Sequence, residues 1–308
     1  MKPAPPVTMI TPSPRARNWR AMALEVDGSQ RRLQAGPTGA EARVSERVTP
    51  AEREQYEEQG FFVRPALFGR EELAPLREAV EGIHDAVVAE GGRPGAAPVE
   101  WIDGRRYQEL LGSTIKWEWR EDSREIRSME PFAHLDPRLD ALIDDPRLWS
   151  PASDLLRSGS VSLFTDKLNF KRPRGAPFPW HQDAPYWVFG CDHVERLSSL
   201  QIYLDDARGD NGCLWMIPGT HTQGNLPVFE DQGVLGRLYT DLAKLGPRTP
   251  VPIEAPAGSV IFFDGYVVHG SRRNRSDASR RALVLTYQPA GFPRWRAPGV
   301  RPIASPRP

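Results

Sequence analysis

Apolar positions along this chain follow two different periods. Before Gly159 they recur at helical spacing in several stretches; beyond it they mostly alternate with polar ones. Thr49-Pro50-Ala51-Glu52 carries the marks of a helix start, with Thr49 as N-cap, proline at the first helical position and glutamate two further on. Gly60 to Val63 reads as a short strand. Residues 70–91 predict a long helix with Leu73, Leu76, Ala79, Val80 and Ile83 on one stripe and Gly91-Gly92 at its end. Two shorter helical pieces are expected over 138–157, around Asp145-Pro146. Period two then marks strands over 161–171, 197–204, 213–217, 258–263, 266–269 and 282–287, separated by turn residues such as Asp210-Asn211-Gly212 and Asp264-Gly265. Helices followed by many antiparallel strands predict an α+β domain with a barrel-like β core. Residues 1–47 are rich in Pro, Arg, Gly and Ala without a sustained period, so they are expected to be a poorly ordered tail, with residues 48–308 as one domain. Within the tail, Thr8 to Ser13 resembles a cloning-vector leader.

Composition narrows the classes. The 308 residues suffice for a sizeable core, 39% being apolar. Forty basic residues balance forty acidic ones, which leaves no electrostatic footprint for nucleic acid or an anionic membrane. No run approaches a membrane span, and no signal-peptide core is visible. Two cysteines, Cys191 and Cys213, make neither a disulfide framework nor a zinc site. The expectation is a cytoplasmic protein acting on a small molecule.

The chemistry concentrates in Trp180-His181-Gln182-Asp183. On a strand, alternate side chains share a face, so His181 and Asp183 can meet one ion while Gln182 points away. An imidazole and a carboxylate suit a divalent transition metal; a second imidazole would complete the two-histidine, one-carboxylate face of non-haem iron oxygenases. Five other histidines compete. His84 falls within a helix, His134 among apolar neighbours, and His193 and His221 in loops. His269 ends an apolar strand and precedes Gly270-Ser271, a rigid position suited to ligation. Arg280 and Arg281 precede the strand over 282–287, so one should face inward, where a buried guanidinium needs an anion. An ordinary surface arginine pair is the competing reading.

Four stretches in this order resemble the phytanoyl-CoA dioxygenase family: EQGFFVRPALFGREELAPLREAV, KLNFKRPRGAPFPWHQDAPYW, LDDARGDNGCLWMIPGTH and GSVIFFDGYVVHGSRRNRSDASRR. The resemblance spans about Val48 to Gln288. It implies a double-stranded β-helix, or jelly roll, flanked by helices, and an Fe(II)- and 2-oxoglutarate-dependent dioxygenase that uses O2 and releases succinate and CO2. By position His181, Asp183 and His269 would hold the iron and Arg280 the distal carboxylate of 2-oxoglutarate. Lys171 and Ser271 match positions that contact cosubstrate or substrate. Trp187 matches an aromatic on the substrate side. Gln201 stands where many members have tryptophan beside the cosubstrate. Retention of Asp183 favours hydroxylation over chlorination, since similar halogenases replace this carboxylate with a small residue; desaturation and cyclisation stay open. Tyr186, Phe189 and the aromatic segment from Trp101 to Trp119, Trp117 included, suggest an apolar pocket or lid. The expected substrate is therefore a hydrophobic small molecule such as a natural-product intermediate. A metal-retaining binding module without activity is the alternative.

Overall fold

A computed structural model describes residues 46–303 of the chain. The expected tail, apart from its last two residues, and its leader-like segment lie outside these residues. The elements run in chain order as α1 (Pro50–Gln59), β1 (Phe61–Arg64), α2 (Arg70–Gly91), β2 (Glu100–Ile102), β3 (Arg105–Leu110), β4 (Ser113–Trp117), β5 (Ile126–Glu130), α3 (Pro137–Leu142), α4 (Pro146–Leu155), β6 (Val161–Asn169), β7 (Phe178–His181), α5 (Ala184–Trp187), β8 (Ser198–Tyr203), β9 (Leu214–Ile217), α6 (Gly233–Gly236), β10 (Val251–Ile253), β11 (Val260–Asp264), β12 (Val268–Ser271), β13 (Ala282–Pro289) and β14 (Arg301–Pro302).

Local chemistry sets the helix ends. Thr49 and Glu52 form a reciprocal capping box on α1, and Gly60 closes it in the left-handed region at φ 87°. Asp136 and Asp145 cap α3 and α4, each followed by proline, which has no amide hydrogen to leave unpaired there. The stripe on α2 is buried as its spacing predicts, with Val87 added at its far end.

The strands form two antiparallel sheets. The larger has the order β1-β11-β8-β13-β6-β5-β4-β3-β2, with β14 also on β6; the smaller is β10-β9-β12-β7. Alternation along the larger sheet separates two environments. Leu168, Leu200, Ile202, Leu283 and Leu285 pack with the helix residues Leu73, Val80, Leu139 and Leu148 in the main core. The intervening Lys167, Gln201 and Val284 face a cavity on the other side. A second core joins Tyr203, Ile261 and Ala282 of the larger sheet to Leu214, Met216 and Ile253 of the smaller.

The segment 101–119, expected as an aromatic pocket wall or lid, is strand for most of its length, and its Tyr107, Trp117 and Trp119 line the cavity. It extends the larger sheet by three strands, β2 to β4. Charged residues dominate β3, Arg105-Arg106-Tyr107-Gln108-Glu109-Leu110, so no apolar alternation announced it. The strand expected over 266–269 runs instead from Val268 to Ser271, since Asp264 to Val267 form the turn.

Candidate metal and cosubstrate site

The register between β12 and β7 puts His269 directly opposite His181. Their ring centroids are 4.3 Å apart. Asp183 completes the group differently from the expectation of one continuous strand. β7 stops at His181, and Asp183 has helical dihedrals, φ −77° and ψ −37°, at the start of α5. Its amide donates to the carbonyl of Gly265 at 2.9 Å, so the turn leading to β12 also fixes the carboxylate. Gln182 does point away. Its side chain donates to the carbonyls of Gly224 (2.8 Å) and Tyr266 (2.6 Å) and accepts from the Leu226 amide at 2.9 Å. That anchors the turn by three bonds.

The two imidazoles are held in one tautomer. Each carries its proton on Nδ1, where the N–H donates to the backbone carbonyl two residues back, His181 to Pro179 at 2.8 Å and His269 to Val267 at 3.0 Å. The lone pairs are thereby left on Nε2, the atoms that face Asp183. His181 Nε2 lies 3.6 Å from Asp183 Oδ1 and His269 Nε2 lies 3.7 Å from Oδ2. One ligand atom from each of the three residues lies within 4.8 Å of the others. Burial pushes the His181 imidazole well below its ordinary value, and His269 and Lys167 push the same way. A neutral, lone-pair-bearing imidazole is the form a metal binds. The donor set therefore fits a divalent ion of the iron type. The other histidines are engaged elsewhere: His134 with the Leu111 carbonyl, His193 with Gln288, His221 with the Glu57 carbonyl and His84 beside Asp85.

Arg280 is the inward member of its pair, 2% exposed, and Arg281 turns out to Asp205 and Glu81. Arg280 donates Nε to the Gly212 carbonyl at 3.0 Å and leaves Nη1 buried without a partner among the described residues. Burial lowers its proton affinity, a sign that the charge is poorly compensated. Gly212 can adopt its φ of 80° and approach closely because it lacks a Cβ; one placed there would meet the Arg272 carbonyl oxygen at 2.7 Å. A guanidinium held by one carbonyl, with a donor to spare, fits the distal carboxylate of 2-oxoglutarate.

The cavity at this site has a volume of about 150 Å³ and is lined by both the triad and Arg280. Ser271, Gln201, Trp187, Tyr186 and Trp117 also line it, all positions expected from sequence. Gln201 brings a buried Nε2 with no partner among the described residues. Trp187 stands edge-on to Phe164 at 5.3 Å, and Tyr186 edge-on to His181 at 5.9 Å. Lys171 sits behind this wall. It is 1% exposed, and its Nζ donates to Ser271 Oγ and to the Ala176 carbonyl, both at 2.9 Å. Burial, reinforced by Arg280, pushes its ammonium well below the usual lysine value. Its contact with the cavity wall is the bond to Ser271. Phe189 is placed elsewhere. At 89% exposure it lies on the surface beyond α5 and does not line the cavity; Phe178, Phe263 and Tyr239 supply apolar wall instead.

Sequence reasoning missed Asn169, Lys167, Thr165, Lys116 and Arg127, which also line the cavity. The signal for the first three was present: polar residues at every second position of β6, while Asp166 and Leu168 face the other way. Lys116 falls in the 101–119 segment expected at the pocket, though for its aromatics alone, and nothing in the linear order pointed to Arg127; both reach the site because β4 and β5 pair in line with β6.

The family model described as phytanoyl-CoA dioxygenase matches residues 56–282. A 2-aminoethylphosphonate dioxygenase from an uncultured bacterium is 33% identical over 59% of this chain and 67% of that protein. An ectoine dioxygenase from Bordetella bronchiseptica is 27% identical over 80% of this chain and 77% of its own length. Among solved structures, EctD from S. alaskensis with 2-oxoglutarate and 5-hydroxyectoine superposes with a TM-score of 0.59 at 23% identity, covering 81% of this chain and 79% of the other. The α-ketoglutarate-dependent carbocyclase SnoK from nogalamycin biosynthesis gives 0.56 at 22% identity, over 83% and 88%. These two structures share its jelly-roll fold.

Proposed function

The chain belongs to the phytanoyl-CoA dioxygenase family, and from that premise we propose which of its residues carry the chemistry. It is an oxidoreductase of the Fe(II)- and 2-oxoglutarate-dependent dioxygenases, and its substrate is a small molecule. His181, Asp183 and His269 hold the iron. Arg280 holds the far carboxylate of 2-oxoglutarate, with Ser271, set by Lys171, and Gln201 beside it. When bound, iron, 2-oxoglutarate and O2 together supply a two-electron oxidation of the substrate, with succinate and CO2 as co-products.

The chain's own contribution is binding and orientation. Donation from Nδ1 to backbone carbonyls locks both imidazoles, so neither has to rotate or lose a proton when the metal arrives. Asp183 brings the negative charge that a dication needs in a buried pocket, which two neutral rings cannot supply. Arg280 converts a desolvated, uncompensated charge into a pair only when a carboxylate enters, so cosubstrate recognition is concentrated there. Trp187 and Tyr186 give the substrate a flat apolar wall beside the triad and keep water from it. Residues 48–308 act as one domain in this reading. No helix among the described residues is long and apolar enough to cross a membrane.

The observation that carries the assignment is the convergence of three ligand atoms within 4.8 Å on a cavity also lined by Arg280, whose Nη1 has no partner among the described residues. Oxygen consumption and succinate release, followed with Fe(II) and 2-oxoglutarate, test it. Equal rates for wild type and for His269→Ala would remove the triad from the reaction.

A further inference from the structure

Balanced overall charge conceals a local excess. Besides Arg280, six basic side chains line the cavity, against one carboxylate, Glu130, outside the triad. Arg106 is occupied by backbone, donating to the carbonyls of Glu118, Arg120 and Ser123. Three others converge on adjoining strands: Lys116 on β4, Arg127 on β5 and Lys167 on β6. Among the described residues neither lysine has a carboxylate within 4.0 Å, the span of an ion pair. Arg127 is 6% exposed, sandwiched between Phe178 (3.8 Å) and Trp119 (4.5 Å). It donates Nη2 to the Pro177 carbonyl at 2.6 Å and leaves Nη1 buried without a partner among the described residues.

A buried guanidinium with an idle donor, beside two unpaired ammonium groups, is costly unless an anion joins it. 2-Oxoglutarate does not fill this role: its far carboxylate belongs to Arg280, at the start of β13, and its other end to the metal. β4 and β5 stand on the opposite side of β6 from β13. With the metal, Asp183 and the cosubstrate mutually compensated, Lys116, Arg127 and Lys167, with Arg105 and Arg296 on the same wall, face Glu130 in the cavity and Glu118 beside Arg127. Basic groups outnumber carboxylates on this wall.

We propose that Lys116, Arg127 and Lys167 form an anchoring subsite for a substrate bearing a doubly ionisable phosphorus oxyacid group, a phosphonate or a phosphate monoester. This rests on the dioxygenase reading above and adds the substrate class to it. Three oxygens on one phosphorus match three donors approaching from different strands; a carboxylate offers two oxygens and one charge. The carbon to be oxidised then lies between this anchor and the triad, against Tyr186 and Trp187. Burial and the neighbouring Lys167 bring Lys116 down to about 7, so near neutrality this ammonium is partly deprotonated and takes up a proton as the anion enters.

The test is calorimetric titration of the full chain, loaded with Ni(II) and 2-oxoglutarate so that no turnover occurs. The probes are methylphosphonate, methyl phosphate, acetate and the uncharged diester dimethyl methylphosphonate. At least one phosphorus anion should saturate the site at least tenfold more tightly than acetate, with no binding of the diester; whichever anion is preferred identifies the source of the group. Lys116→Met and Lys167→Met, which keep the apolar stems, should each weaken that anion about tenfold or more and leave 2-oxoglutarate binding within about twofold. Repeating the titration in buffers of different ionisation heat should show proton uptake in wild type that Lys116→Met abolishes. Unsaturable binding of both phosphorus anions, acetate binding as tightly, or undiminished affinity in both variants overturns the subsite. Failure of 2-oxoglutarate itself to bind in the same titration overturns the oxygenase reading instead.

Discussion

Replacing Arg280 by methionine should push two measurements in opposite directions. In the free protein this guanidinium is 2% exposed, donates Nε to the Gly212 carbonyl, and leaves Nη1 without a partner among the described residues. Removing it forfeits that bond, worth about 1–3 kcal/mol if the carbonyl is left unpaired, but also relieves an uncompensated buried charge of similar cost. Stability without ligand should therefore change by no more than about 1 kcal/mol, or rise. Cosubstrate binding should behave otherwise. Losing the partner of a buried, hydrogen-bonded carboxylate costs about 2–5 kcal/mol, so the Kd for 2-oxoglutarate should rise roughly 30-fold to a few thousandfold. In wild type, 2-oxoglutarate at 100 times its Kd adds about 2.7 kcal/mol. For a domain of this size that raises the melting temperature by about 5–10 °C, and the shift should vanish in Arg280→Met. Calorimetry with Ni(II) in place of iron and thermal melts with and without 2-oxoglutarate measure both quantities. A variant that binds 2-oxoglutarate within twofold of wild type, or that loses several kcal/mol without ligand, would refute the reasoning; the second result would make Arg280 a support of the fold.

Other substitutions probe neighbouring steps. Asp183→Ala should abolish succinate-forming turnover and lower iron content, since two neutral imidazoles remain to hold a dication; unchanged oxygen uptake would contradict its role as ligand. Gly212→Ala should cost at least about 1–3 kcal/mol in urea denaturation, because its φ of 80° is strained for alanine and the Arg272 carbonyl would stand 2.7 Å from the new Cβ; unchanged stability would show that this turn moves freely. Lys171→Met breaks the 2.9 Å bond to Ser271 Oγ and should raise the KM for 2-oxoglutarate several-fold with little change in melting temperature, whereas an unaltered KM would leave Ser271 without need of its partner. Lys116 gives a pH signature. Its folded value, about 7, lies below the ordinary lysine value of 10.5, so between these pH values the unfolded chain binds the extra proton. Stability should then rise with pH across that window and be lowest below it; in Lys116→Met the slope should flatten, and an identical slope in both proteins would exclude Lys116 as its source.

Much of the fold was legible because its signals are local. The capping box at Thr49 and Glu52, the apolar stripe of α2, and the proline-led starts of α3 and α4 need only near neighbours in the chain. The alternation in β6, β8 and β13 is equally local, since each strand buries one face against helices and turns the other to the cavity. The triad was legible for a different reason: few residue types bind iron, and His181, two residues from Asp183, and His269 stand out among six histidines by their settings. Two readings did not survive in detail. Asp183 reaches the metal position from a helical turn and not along the strand, and Phe189 faces outward. Both depended on where β7 ends and α5 begins, which decides which side chains point inward.

The chain by itself determined the residue types available for chemistry and the elements that carry them, because ligand identity and periodicity are written residue by residue. Tertiary structure alone decided which polar groups meet. His181 faces His269 through the pairing of β7 with β12, across 88 positions of sequence. Lys116, Arg127 and Lys167 become neighbours only by the order of strands in the larger sheet. An overall charge of zero, a sum over the whole chain, carries no information about such a gathering. The field inside a cavity depends on the distances between charges and on how little water screens them there, and both are set by folding.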